Sequence, residues 1–210
     1  MKKLAVLLFT GCLIAMVSAF GQDGKQKSAS HSNLRVTQIA GRHLLDLKEC
    51  TDCHMLGSQA EDKLTPMTNK RSVEWFAAHV EEKSTIVLRQ EATDRKRKRV
   101  LQDEILALGD FLYQSKAEER KQIEDMAENV FAGGYLVYQN NCLNCHAVAS
   151  EGKDIGPSLT TVGSKRDKAW FIANLKNPQQ FAPESVMPKF DTLPAETLDK
   201  MADYLTTLKK

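Results

Sequence analysis

Apolar residues along this chain recur at helical spacing. Val36, Ala40, His43 and Leu47 fall on one stripe, and Ala127, Phe131, Tyr135 and Tyr138 fall on another. Each stripe predicts an amphipathic helix with one face turned to a core. A second kind of helix is predicted from Ser72 and from Asp167, since both residues can cap a helix start and each precedes a Trp-Phe pair, Trp75-Phe76 and Trp170-Phe171. Leu101, Ile105, Leu108 and Leu112 mark a third kind. Leu198, Met201, Leu205 and Leu208 match it, with Pro194 near the start of that helix, where a missing N–H costs nothing. No segment alternates long enough to make a convincing strand, so the expected fold class is all-α.

The N-terminal pattern differs in kind. Lys2 and Lys3 precede an apolar run from Leu4 to Val17 broken only by Thr10 and Gly11, and Val17-Ser18-Ala19 places small residues as a cleavage site needs. Residues 1–19 read as a secretory signal peptide. An uncleaved anchor is disfavoured because a membrane-crossing helix needs roughly 20 apolar residues. A lipoprotein signal ending at Cys12 is a third reading, weakened by Phe9 three places earlier and by an apolar run that continues past the cysteine. No later stretch is long and apolar enough to span a bilayer. The expected location is the periplasm, with residues 20–33 a polar, flexible tail.

The chain also repeats. Cys50-Thr51-Asp52-Cys53-His54 returns as Cys142-Leu143-Asn144-Cys145-His146, 92 positions later, and Gly41-Arg42-His43-Leu44 returns as Gly133-Gly134-Tyr135-Leu136 at the same shift. Lys70-Arg71 and Trp75-Phe76 correspond to Lys165-Arg166 and Trp170-Phe171 at a shift of 95, and Asp110-Phe111-Leu112 to Asp203-Tyr204-Leu205 at 93. Two tandem domains of one helical fold are expected, residues 34–115 and 129–210. The charged segment 116–128 joins them, either as a linker or as part of one continuous helix.

Composition and charge narrow the partners. A chain that is 42% hydrophobic and 27% charged is globular rather than disordered. Its 29 Lys plus Arg and 27 Asp plus Glu become equal once Lys2 and Lys3 leave with the signal, which argues against nucleic acid. The basic cluster Arg95 to Arg99 reads as a solvated helix face; any steering role would be toward an acidic redox partner.

Of five cysteines, Cys12 lies in the signal and the other four belong to the two motifs. Four cysteines in an oxidising compartment ordinarily mean disulfides, and paired cysteines can mean zinc. Zinc pairs usually keep their halves roughly 12–20 residues apart, not a domain apart, and a redox dithiol does not explain a histidine directly after each pair. Covalent attachment of c-type haem explains all six residues. Cysteines two residues apart form thioethers to one macrocycle, and the next histidine is carried beneath the iron. Cys50, Cys53 and His54 would hold one haem c, and Cys142, Cys145 and His146 a second.

With these residues in view, each half resembles a class I cytochrome c domain, the second more fully. The resemblance implies that the carbonyl in Gly156-Pro157-Ser158-Leu159 accepts a hydrogen bond from His146 and that Met187, in Val186-Met187-Pro188, is the sixth ligand of the second iron. Met201, on the apolar stripe of the last helix, is expected in the core. The first half departs from the pattern. Only Pro66 stands for the Gly-Pro loop, and Leu88 to Arg99 holds no Met, His or Cys where a Met-Pro segment is expected. His79, Met67 or an open iron completes the first site.

The expected function is that of a periplasmic dihaem electron carrier passing single electrons between redox proteins of a respiratory or related chain, either diffusing freely or as part of a membrane respiratory complex. It is not expected to be an enzyme itself. The alternative is peroxidase-like catalysis or ligand sensing at an open first iron.

Overall fold

The computed structural model describes residues 30–50, 73–83 and 94–210. It is mostly helical. Helix α1 spans Val36–Leu47, α2 Val73–Lys83, α3 Asp94–Gly109, α4 Ala117–Glu124, α5 Glu128–Gln139, α6 Lys168–Lys176 and α7 Ala195–Thr207. A π-helical turn, Asp110–Gln114, extends α3. A short antiparallel hairpin pairs β1, Ala147–Val148, with β2, Glu151–Gly152, a piece too brief for alternation to reveal. The predicted signal peptide, Cys53, His54, Pro66, Met67, Ser72 and Leu88 to Thr93 lie outside the described residues.

Two helix crossings organise the molecule, and both are made at glycine. A Cβ on Gly133 of α5 would lie 2.0 Å from the Lys200 carbonyl oxygen of α7 and 2.9 Å from Tyr204 Cβ. A Cβ on Gly41 of α1 would lie 2.0 Å from the Ala107 carbonyl oxygen of α3 and 2.8 Å from Phe111 Cβ. The glycines stand 92 residues apart and their partners 93 apart. Each crossing brings backbones together because no side chain intervenes.

The Trp-Phe helices then pack beside the crossings. Asp167 caps α6 by accepting from the Trp170 N–H at 2.8 Å, as its sequence position predicts, and Phe171 is buried. Phe76 of α2 is also buried, edge-on to Tyr113 at 5.4 Å.

The two halves meet along α1 and α5. Ile39 packs against Gly134, while the His43 ring stacks on Phe131 at 4.9 Å and tilts against Tyr135 at 4.5 Å. Burial lowers the pKa of His43, which suits its place on an apolar stripe. Because α1 is covered on two sides, Ile39, Leu44 and Leu45 are buried as well, and Leu47, expected on the stripe, is 41% exposed.

Two connecting segments are more ordered than their composition indicates. Ser30 Oγ donates to the Lys209 carbonyl at 2.6 Å and His31 N–H to the Thr207 carbonyl at 3.1 Å, so residues 30–33 are held against the end of α7. The charged segment after residue 116 folds as α4 with Ile123 buried. Extended backbone at Ser115 and Lys116 separates it from α3.

Gly133→Ala and Gly41→Ala are each expected to lower stability by about 1–3 kcal/mol through overpacking, read by denaturant unfolding. Gly109→Ala, whose Cβ would meet only the Tyr113 ring at 3.8 Å, should be neutral or slightly stabilising.

Candidate functional site

Helix α5 ends in a turn that aims the second motif. The Asn140 N–H donates to the Leu136 carbonyl at 3.0 Å, and the N–H of Asn141, at φ 59°, donates to the Tyr138 carbonyl at 2.9 Å. The left-handed residue throws the chain off the helix axis into a 3₁₀ turn, Cys142–Asn144. Cys142, Cys145 and His146 thereby line one cavity of about 590 Å³. Both cysteines are free thiols, and burial pushes the Cys142 thiol up to about 11, so it is neutral.

The histidine is fixed from behind. Its Nδ1 lies 2.7 Å from the Pro157 carbonyl oxygen, as the resemblance implied. A carbonyl only accepts, so Nδ1 carries the hydrogen, and in the neutral ring Nε2 is the nitrogen left with a lone pair. Gly156 makes this possible. Its N–H donates to the Cys145 carbonyl at 2.7 Å, and a Cβ there would stand 2.6 Å from His146 Cε1.

Met187 lines the same cavity from the loop between α6 and α7. Three polar side chains set that loop. Ser185 Oγ accepts from the Met187 N–H at 3.2 Å, Gln179 Nε2 donates to the Met187 carbonyl at 3.1 Å, and Asn174 Nδ2 lies 3.9 Å from the Met187 sulfur. Asn174 was legible in principle, being one turn beyond Trp170 on α6; Gln179 left no sequence signal. Met201 is fully buried on α7 and forms part of the cavity wall.

These residues fit a haem. A neutral imidazole and a thioether are its ordinary axial donors, two free thiols stand where thioethers form, and Leu159, Trp170 and Phe190 supply apolar walls. Apolar residues also stand exposed at the rim, Val186 at 91% and Ile155 at 69%. Among the described residues no three His, Cys, Asp or Glu side chains gather into a group that could hold a metal ion.

The first motif is approached in the same way. The Lys48 N–H donates to the Leu44 carbonyl and the Glu49 N–H to the Asp46 carbonyl, both at 3.0 Å, and Glu49 has φ 52°. A left-handed glutamate costs roughly 1–2 kcal/mol, and it delivers a half-buried Cys50 as Asn141 delivers Cys142. Cys53, His54 and Met67 lie outside the described residues. His79 is half-buried, its ring stacked on Trp75 at 5.1 Å.

Two thiols, an imidazole and a thioether around one apolar cavity of a helical domain define the class as haem-binding, and comparison with known proteins defines the family. The family described as "Cytochrome C oxidase, cbb3-type, subunit III" matches residues 129–205. Cytochrome c-550 of Bacillus subtilis (strain 168) is 30% identical over 96 residues, 46% of this chain and 68% of that protein. A nitric oxide reductase subunit of Stutzerimonas stutzeri is 32% identical over 98 residues, 44% of this chain and 66% of that one. Cytochrome c oxidase subunit 2 of Alkalihalophilus pseudofirmus is 28% identical over 97 residues, 42% of this chain; the chain spans 28% of that protein's length. No solved structure matches at a significant level. The chain belongs to the cytochrome c family, whose members carry covalent haem c and transfer electrons to redox partners.

Gly156→Ala is expected to push the imidazole off the Pro157 carbonyl and abolish the hydrogen-bonded Nδ1 proton resonance of His146 in the NMR spectrum. Ile155→Ala, on the exposed rim, should leave that resonance in place.

Proposed function

We propose that the chain is an exported, periplasmic dihaem cytochrome c that passes single electrons between redox proteins and transforms no substrate of its own. One observation carries the reading: two free thiols and an oriented imidazole with a free Nε2 share an apolar cavity with a thioether. Bound haem supplies a one-electron iron couple. Cys142 and Cys145 would tether it, and His146 and Met187 would supply its imidazole and thioether donors. A thioether favours ferrous iron and holds the potential high. Asn174 and Gln179 keep that sulfur in place.

A second haem on Cys50, Cys53 and His54 is supported by the repeat. The glycine crossing and the left-handed turn recur in the first half at corresponding positions. The same repeat supports His79 as the distal residue there. The shift of 95 that aligns Trp75 with Trp170 aligns His79 with Asn174, whose amide stands beside Met187. An imidazole at that place can donate to iron where an amide does not, which favours a closed first iron over an open, catalytic one.

Partners are other redox proteins. By their names, two of the relatives are subunits, one of a cytochrome c oxidase and one of a nitric oxide reductase, which supports service to a membrane respiratory assembly as donor, acceptor or component. Among the described residues no helix is long and apolar enough to cross a membrane, so attachment would come through partners or a lipid.

The intact mass of exported protein should exceed that of the processed polypeptide by two haems, and by one in a Cys50→Ala/Cys53→Ala variant; addition of a single haem to the wild type would refute the dihaem reading. Met187→Ala should abolish the sulfur-to-iron charge-transfer absorption of the oxidised protein and lower the potential of one haem. His79→Ala should convert one low-spin ferric EPR signal to high spin and permit rapid carbon monoxide binding at one haem, whereas an unchanged spectrum would remove His79 from the iron.

A further inference from the structure

The junction of the two halves holds a cluster of ionisable groups away from the haem cavity. Helix α1 begins at Val36, and its N-cap residue, Arg35, makes no side-chain capping hydrogen bond. The cap comes instead from Glu151 on β2 of the other half. Its Oε1 accepts from the Val36 N–H and, at 3.1 Å, from the Thr37 N–H. Its Oε2 lies 2.7 Å from Thr37 Oγ1, which also touches Asp110 Oδ2. Asp110 Oδ1 lies 2.7 Å from an Arg35 guanidinium nitrogen.

Counting hydrogens shows what this arrangement requires. A threonine hydroxyl has one hydrogen, and an ionised carboxylate has none. With both carboxyls ionised, one of the two contacts to Thr37 Oγ1 would set oxygen lone pairs against each other. A single extra proton removes the conflict. Asp110 has Arg35 as a counter-ion, whereas among the described residues no Lys or Arg pairs with Glu151. The proton therefore belongs on Glu151 Oε2, which donates to Thr37 Oγ1, which donates to Asp110 Oδ2.

We propose that Glu151, Thr37 and Asp110 form a proton-binding site across the junction of the two halves, with one proton held on Glu151 at neutral pH and lost as the solution becomes alkaline. This holds however many haems are bound.

The surroundings agree. Burial raises the Glu151 pKa above its ordinary 4.5, opposed by the hydrogen bonds from Thr37 and Val36 and reinforced by the charge of Asp110. The other titratable groups facing it are phenols, Tyr138 on α5 and Tyr204 on α7. Both are pushed up by burial, so both phenols stay neutral and neither adds a negative charge beside Glu151. The Tyr204 hydroxyl is buried and has no hydrogen-bond partner among the described residues. A pKa raised in the folded state stabilises the junction fully below pH 4.5 and loses that contribution as pH climbs through the folded value.

The test uses full-length holoprotein. The infrared spectrum at pH 7 should contain the C=O band of one protonated carboxyl, shifted in deuterium oxide and lost on titration to alkaline pH. Glu151→Gln, which keeps the shape and supplies an N–H for Thr37 Oγ1, should abolish that band and flatten the fall of the unfolding midpoint with rising pH. Glu184→Gln, at an exposed glutamate, should change neither. Absence of the band from the wild type at pH 7, or its survival in Glu151→Gln, overturns the proposal. The wild-type spectrum decides the matter even if the variant fails to fold.

Discussion

Where α5 crosses α7, the absence of a side chain at Gly133 lets one backbone lie against another, and the cavity exists because of that contact. The crossing fixes the end of α5, the left-handed Asn141 sets the direction in which the chain leaves, and the 3₁₀ turn presents two thiols and an imidazole to one space. Helix α7 brings Met201 and Leu205 to the cavity wall, and α6, held by Lys168 to Asp199 and Asp203 at 2.8 and 2.7 Å, brings Trp170 and Asn174. A wider separation of the two helices would move the imidazole and the thioether relative to each other. The relative placement of the imidazole and the thioether therefore depends on a packing distance as well as on the polar contacts that hold each side chain.

Within the cavity, the imidazole and the thioether are held differently. His146 is clamped by backbone, with a carbonyl in front of Nδ1 and Gly156 directly beneath the ring. Such a clamp resists motion because neither element has side-chain freedom to lose. Met187 is held by side-chain amides and a hydroxyl on a loop, an arrangement that keeps side-chain freedom the backbone clamp lacks. In the proposed haem site, a rigid imidazole and a softer thioether would suit a centre that gains and loses one electron with little rearrangement.

The halves are joined more firmly than a chain with a charged connector suggests. Aromatic stacking of His43 on Phe131, the contact of Ile39 with Gly134 and the Glu151 cap on α1 all cross the junction. Residues 30–33 add backbone and hydroxyl bonds to the far end of α7. In the first half a buried ion pair, Lys48 with Glu104 at 2.7 Å, ties α1 to α3. Such a pair contributes more to the register of the helices than to net stability, since desolvation offsets most of its attraction.

The sequence by itself determined most of the helices, the repeat and the spacing of the residues that line the cavity. Covalent and axial bonding demand particular atoms at particular short spacings, so Cys142, Cys145 and His146 are visible as a string, and the resemblance supplied Pro157 and Met187. Periodicity located the stripes for the same local reason. Tertiary structure alone decided which faces α1 buries, that residues 30–33 are tied down, that the charged connector is a helix with Ile123 inside, and that Glu151 caps a helix 115 residues earlier. Each of those outcomes depends on a partner distant in sequence. A carboxylate on a two-residue strand carries no mark of the backbone amides it will meet, because only folding brings them together.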